Sequence, residues 1–121
     1  MIGTLRSVVV DCPDPVRLAR FWAEVLGGDI TQEDPDWVVV TGPDGRRLAF
    51  QLSPEHRPPQ FPDPHASQQI HFDVMIPEDQ LEAAQAEVIR LGATWVQDVD
   101  EDQFRVYRDP AGHTFCFVWN D

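Results

Sequence analysis

Lysine is missing altogether. All nine basic residues are arginine, set against 21 acidic residues, for a formal net charge of −12. A surface this acidic repels phosphate backbones, which argues against a nucleic-acid partner. Long apolar runs are missing too: none approaches the roughly 18 residues of a membrane span, so no membrane is expected. The first residues, Met1 to Arg6, run straight into a strand-like pattern without the apolar segment of a signal peptide, and the reading is cytoplasmic. Cysteine is scarce. Cys12 and Cys116 are expected as reduced thiols in that compartment rather than as a bridge. There is no Gly-rich phosphate loop, no nucleophile elbow, no CxxC and no HExxH, so none of those chemistries has its motif.

What is present is globular. Apolar residues make up 42% of the 121 residues and aromatics 10%, enough for a core that buries roughly two thirds of the unfolded chain's surface. Residues 5–11 are rich in β-branched side chains and predict a strand. Asp14-Pro15 predicts a helix start, an Asp cap followed by Pro at the first helical position. Leu18, Phe21, Trp22, Val25 and Leu26 follow at helical spacing, and Gly27-Gly28 supplies the stop. Strands are predicted over 29–33, 37–41 and 46–52, the last two joined by the turn Gly42-Pro43-Asp44-Gly45. Five of the eleven prolines then fall between residues 53 and 68, which reads as a linker because proline cannot donate to a sheet ladder.

The second half repeats the order. A strand is predicted over 69–76 and a helix from Pro77-Glu78 to Gly92, with Leu81, Ala84, Val88 and Leu91 as its apolar face. Strands are predicted over 94–97, 103–108 and 113–119, with the acidic run Asp98 to Asp102 as a solvated turn. Ser7 aligns with His71 and the turn 42–45 with Asp109-Pro110-Ala111-Gly112. The reading is α+β: two tandem βαβββ modules, one from 1 to 53 and one from 69 to 121, joined by a Pro-rich linker over 54–68 in a single domain. Each module alone would have a half-covered sheet, so the halves are expected to pack together.

Three strings carry a resemblance to a known family. Asp14-Pro15 with Phe21-Trp22-Ala23-Glu24-Val25-Leu26-Gly27 resembles the first-helix signature of the vicinal oxygen chelate superfamily, which includes glyoxalases, bleomycin resistance proteins and extradiol dioxygenases. Ile70-His71-Phe72-Asp73-Val74 resembles the start of its second module, and Arg105 to Cys116 its closing hairpin. The combination is similar to the glyoxalase-like domain subgroup. The resemblance implies curved sheets enclosing a cavity and, in metal-dependent members, four inward His, Glu or Gln side chains on one divalent ion. It implies homodimers as well. The four metal positions fall on Ser7, on Gln51 (or Ala49, depending on turn length), on His71 and on Cys116. A Ser/Gln/His/Cys set without a carboxylate is a poor site for nickel, iron, manganese or magnesium. No cofactor is therefore expected, and a divalent metal belongs to the alternative reading.

Each candidate residue has two readings. His71, with Asp73 two residues on and on the same face, is either a ligand-binding or acid–base histidine oriented by a carboxylate, or a cavity-lining histidine. Cys116 is either a thiol nucleophile activated by His71 or, as we prefer, a small core hydrophobe. Cys12 points away from Ser7 by parity and is structural. Gln51 is a ligand contact or a polar wall. Among Trp22, Trp37, Trp95 and Trp119, core packing is the commoner role, with Trp37 and Trp119 the better ligand or interface candidates. Arg46, Arg47 and Arg57 are surface charge or face an anionic ligand. The preferred function is metal-free small-molecule binding, such as sequestration of a drug or toxin, through Ser7, Trp37, Gln51, His71, Asp73 and Cys116, with no committed catalytic residue. The alternatives are a metal-dependent lyase, isomerase or dioxygenase-type enzyme centred on His71, and a structural module with a collapsed cavity.

Overall fold

The computed structural model describes residues 1–96 and 104–119. The acidic run Asp98 to Asp102 lies outside the described residues. The chain divides into two compact units, Met1–His56 and Arg57–Asp121. The first contains β1 (Val8–Cys12), α1 (Pro15–Leu26), β2 (Asp29–Asp34), β3 (Trp37–Thr41) and β4 (Arg47–Leu52). The second contains β5 (Phe72–Met75), α2 (Leu81–Leu91), β6 (Thr94–Trp95), β7 (Phe104–Arg108) and β8 (Thr114–Val118). The strand orders are β1-β4-β3-β2 and β5-β8-β7-β6, so both four-stranded sheets share one topology. In each, the first strand pairs in parallel with the last, and the remaining pairs are antiparallel. This is the duplicated α+β arrangement read from the sequence.

Local chemistry sets the boundaries. The Asp14 carboxylate accepts a hydrogen bond from the Arg17 backbone N–H at 3.2 Å, Pro15 opens α1, and Gly27 closes it in the left-handed conformation. Asp14→Ala should cost about 1 kcal/mol by orphaning that donor, measurable as a lower urea midpoint at unchanged slope. The second helix starts later than expected. Glu78–Gln80 forms a 3-10 turn before α2 begins at Leu81. The strand expected over 69–76 is also shorter, four residues from Phe72, because Gln69 takes a positive φ of 62° and turns the chain just ahead of it.

The Pro-rich segment is not a bare tether. It includes a short 3-10 turn, Pro64–Ala66, and Pro58 lies against the turn before β8. A Cβ placed on Gly112 would come within 2.5 Å of the Pro58 Cβ, and Gly112 has φ of 90°. Gly112→Ala is thus opposed by both backbone conformation and contact. A drop in melting temperature of several degrees, larger than that of a surface Gly→Ala control, checks this.

The first core gathers Leu18, Trp22, Val38, Val39 and Phe50, all fully buried, with Phe21 set edge-on to Trp22. In the second unit the alternation of strand side chains sorts the sheet into two faces. One face holds Tyr107, Phe115 and Phe117, with ring centroids 4.8–5.9 Å apart. It also holds Arg105. Helix α2 lies on this side: Gln85 Oε1 accepts from Tyr107 Oη at 2.6 Å and from Arg105 at 2.9 Å, and Arg105 pairs with Glu82 at 2.7 Å. The opposite face of that sheet carries His71, Asp73, Thr114, Cys116, Val106 and Arg108 by the same alternation.

Candidate functional site

Parity and register assemble the site on the face opposite α2. His71 stands immediately before β5, as Ser7 stands immediately before β1. Asp73 follows two residues later and therefore shares its side. The parallel pairing of β5 with β8 sets Cys116 directly across from Asp73. The donor atoms of His71, Asp73 and Cys116 all lie within 4.8 Å of one another.

His71 is held at both nitrogens. Its Nε2 lies 3.3 Å from Asp73 Oδ1, and its Nδ1 lies 3.1 Å from Gln68 Nε2. A carboxylate accepts only, so Nε2 must carry the proton that faces Asp73. In the neutral ring Nδ1 then accepts from the Gln68 amide. The ring is oriented before any ligand arrives. The 3.3 Å separation makes the Asp73 contact a weak bond, and both groups are substantially exposed.

Cys116 is only 6% exposed. Burial, with the Asp73 charge added, pushes its thiol up to about 11. At neutral pH it is therefore a neutral S–H group. That is the environment of a small hydrophobe and not of an activated nucleophile.

In the first unit the corresponding face is chemically poorer. The β1–β4 register puts Ala49 opposite Val9, as Cys116 stands opposite Asp73. Ala49 is therefore the counterpart of Cys116 in the repeat. Gln51 lies two residues further on, exposed, with Asp11 and Trp37 as its strand partners. The Ser7 hydroxyl accepts from Arg47 Nε at 3.2 Å. Trp37 is half-buried beside Gln51. Cys12 is fully buried, its thiol 3.8 Å from the Gln51 carbonyl. Trp22 is core, and Trp95 lies under the Arg105 guanidinium at 5.7 Å. Arg46 pairs with Asp44 on the surface, and Arg57 is exposed.

A divalent metal, the group the resemblance raises, can be tested against these residues. His71 and Asp73 offer ordinary donors. Cys116 would first have to lose a proton that its surroundings hold tightly. Ser7 is already hydrogen-bonded and Ala49 offers a methyl group. Hard ions such as Mn(II) prefer oxygen donors, so His71, Asp73 and Cys116 of the second unit do not fit one. The three donors of the second unit match the ligand types of zinc and lie within 4.8 Å of one another, but Cys116 would have to ionise first.

Three neighbours of the site escaped the sequence reading. Gln68 lay in the segment read as linker, and its i+3 distance to His71 was the available signal. Thr114 and Arg108 sit one pair further along the same face from Cys116 and Val106. Only the strand register, which sequence periodicity does not supply, brings them together.

Two four-stranded sheets of identical order, each with one helix, define a duplicated βαβββ protein of the vicinal oxygen chelate superfamily. The chain belongs to the glyoxalase-like domain family, which it matches over residues 7–118. Solved structures share the fold. A possible glyoxalase from Bacillus cereus superposes with a TM-score of 0.72 at 15% identity, covering 98% of this chain and 99% of that one. The oxidase ChaP-H2 gives 0.68 at 20%, covering 100% and 96%. A mutant of FosX, the fosfomycin resistance protein of Listeria monocytogenes, complexed with Mn(II) and 1S,2S-dihydroxypropylphosphonic acid, gives 0.74 at 10%, covering 100% and 93%. At these identities the likeness shows the fold alone. No curated protein matches the sequence. Among the described residues, no helix is long and apolar enough to cross a membrane.

Proposed function

We propose that this chain binds a small organic molecule without a metal, on the face of the second sheet opposite α2, and sequesters it unchanged. A drug or toxin is the concrete case. The observation that carries the reading is the state of the metal positions. Ser7 accepts from Arg47, neither Gln51 nor Ala49 offers a carboxylate or imidazole, and Cys116 is a neutral thiol. What remains is a recognition surface. His71, oriented by Gln68 and Asp73, supplies a directed polar group, with the Cys116 thiol buried beside it. In the first unit, Trp37 and Gln51 are neighbours on one face and are the ligand-contacting residues proposed there.

A thermal-shift screen of aromatic antibiotics and metabolites, run with and without excess EDTA, tests the proposal. Hits should stabilise the protein equally in both buffers and be recovered with unchanged mass. His71→Ala should weaken them by roughly 1–3 kcal/mol, the penalty for losing a buried polar contact. A compound that is converted, and only when divalent metal is present, would contradict the reading.

A second reading is favoured by one observation, the convergence of His71, Asp73 and Cys116. It is a metal-dependent enzyme of the same superfamily, which requires that Cys116 ionise on meeting the ion.

A further inference from the structure

Thr114 is 4% exposed, and its Oγ1 is buried with no hydrogen-bond partner. Arg108 Nε is in the same condition. The two residues are direct partners in the β7–β8 register, so their side chains leave the sheet on the same side, about 5 Å apart at Cβ. That side is the one bearing His71, Cys116 and Asp73, opposite α2. Extending the β5–β8 register by one pair beyond Phe72–Phe115 sets His71 beside Thr114. His71, Thr114 and Arg108 thus form one row across three adjacent strands.

Two unpaired donors in one row need an acceptor. Arg46, Arg90 and Arg105 pair with Asp44, Glu87 and Glu82, and Arg47 donates to the Ser7 hydroxyl. Among the described residues Arg108 pairs with none, in a chain that carries 21 acidic residues. The carboxylate on this face, Asp73, faces His71, and Asp109, next in sequence, accepts from Ala111 and His113 backbone N–H groups. A guanidinium edge presents parallel N–H donors that match the two oxygens of a carboxylate, and a hydroxyl beside it adds a third bond.

We infer that Arg108 and Thr114 form a carboxylate-binding subsite, and that the ligand of this face is a small organic acid. The inference rests on the small-molecule reading above and adds the chemical class of the ligand.

Sodium acetate titrated into the 15N-labelled full-length chain at constant ionic strength tests it. The Arg108 Nε–Hε resonance should shift saturably. Thr114→Val, isosteric and compatible with the strand, should weaken acetate roughly tenfold, and Arg108→Gln, which removes that reporter, should abolish the saturable acetate shift of the Thr114 backbone amide with the backbone spectrum otherwise retained. Chloride alone should give no saturable shift. Linear shifts spread over all the arginines would overturn the subsite. So would saturation by inorganic phosphate but not by acetate. Organic acids and their neutral amides are then compared in the EDTA screen. Amides that bind as well as the acids overturn the subsite and leave the binding reading standing. Saturable acetate binding with no organic ligand found overturns the binding reading alone.

Discussion

Iodoacetamide should label Cys116 with a pH midpoint near 11 and not near that of an exposed cysteine. The measurement is made in a Cys12→Ala background so that one thiol reports. Moving the thiol from 9.0 to about 11 removes all but a hundredth of its thiolate near neutrality. A more basic thiolate is intrinsically the better nucleophile, which returns roughly a factor of ten, so the net slowing is about tenfold before burial adds to it. The sign for stability follows from the same shift. A folded-state value above the unfolded one means that the native state holds the proton more tightly. The contribution is present in full below about 9 and is lost as the pH rises through about 11. Cys116→Ala should flatten that alkaline loss in urea melts. Rapid labelling at neutral pH would restore the nucleophile reading.

Removal of the Phe115 ring is expected to have the largest effect on stability. The ring is fully buried, stacked on Tyr107 and edge-on to Phe117, and it lies between Thr114 and Cys116 in β8. Phe115→Ala should cost about 3–5 kcal/mol, a large share of the 5–15 kcal/mol typical of a domain. Urea denaturation measures it. Phe115→Leu, which keeps most of the apolar volume, should recover more than half of the loss. If the alanine variant instead lost under 1 kcal/mol, the aromatic cluster beneath the site would not be packed as described.

Much of the fold was legible because its signals are local. The Asp14-Pro15 start, the Gly27 stop and the Gly-rich hairpin turns each follow from backbone chemistry over a few residues, and their recurrence disclosed the duplication. The start of α2 was less legible, since the 3-10 turn over Glu78–Gln80 has no strong marker in Pro77-Glu78. For the site, the pairing of His71 with Asp73 was readable by strand parity. The choice between Gln51 and Ala49 was not, because it depends on the β1–β4 register, which a turn of unknown length leaves open. Gln68 was hidden by its neighbours, as a segment with five prolines reads as a tether whatever its individual side chains do. Arg108 and Thr114 were hidden for another reason. Their meaning lies in missing partners, and a sequence shows which donors exist but not which of them go unsatisfied.

The most direct measurement of the central claim is the metal content of protein purified without chelator, followed by titration with Mn(II) and Zn(II) at neutral pH. The account predicts substoichiometric metal as isolated and no saturable Mn(II) binding, with ligand binding indifferent to either ion. One tightly held equivalent per chain, retained through dialysis and released by His71→Ala, would contradict it.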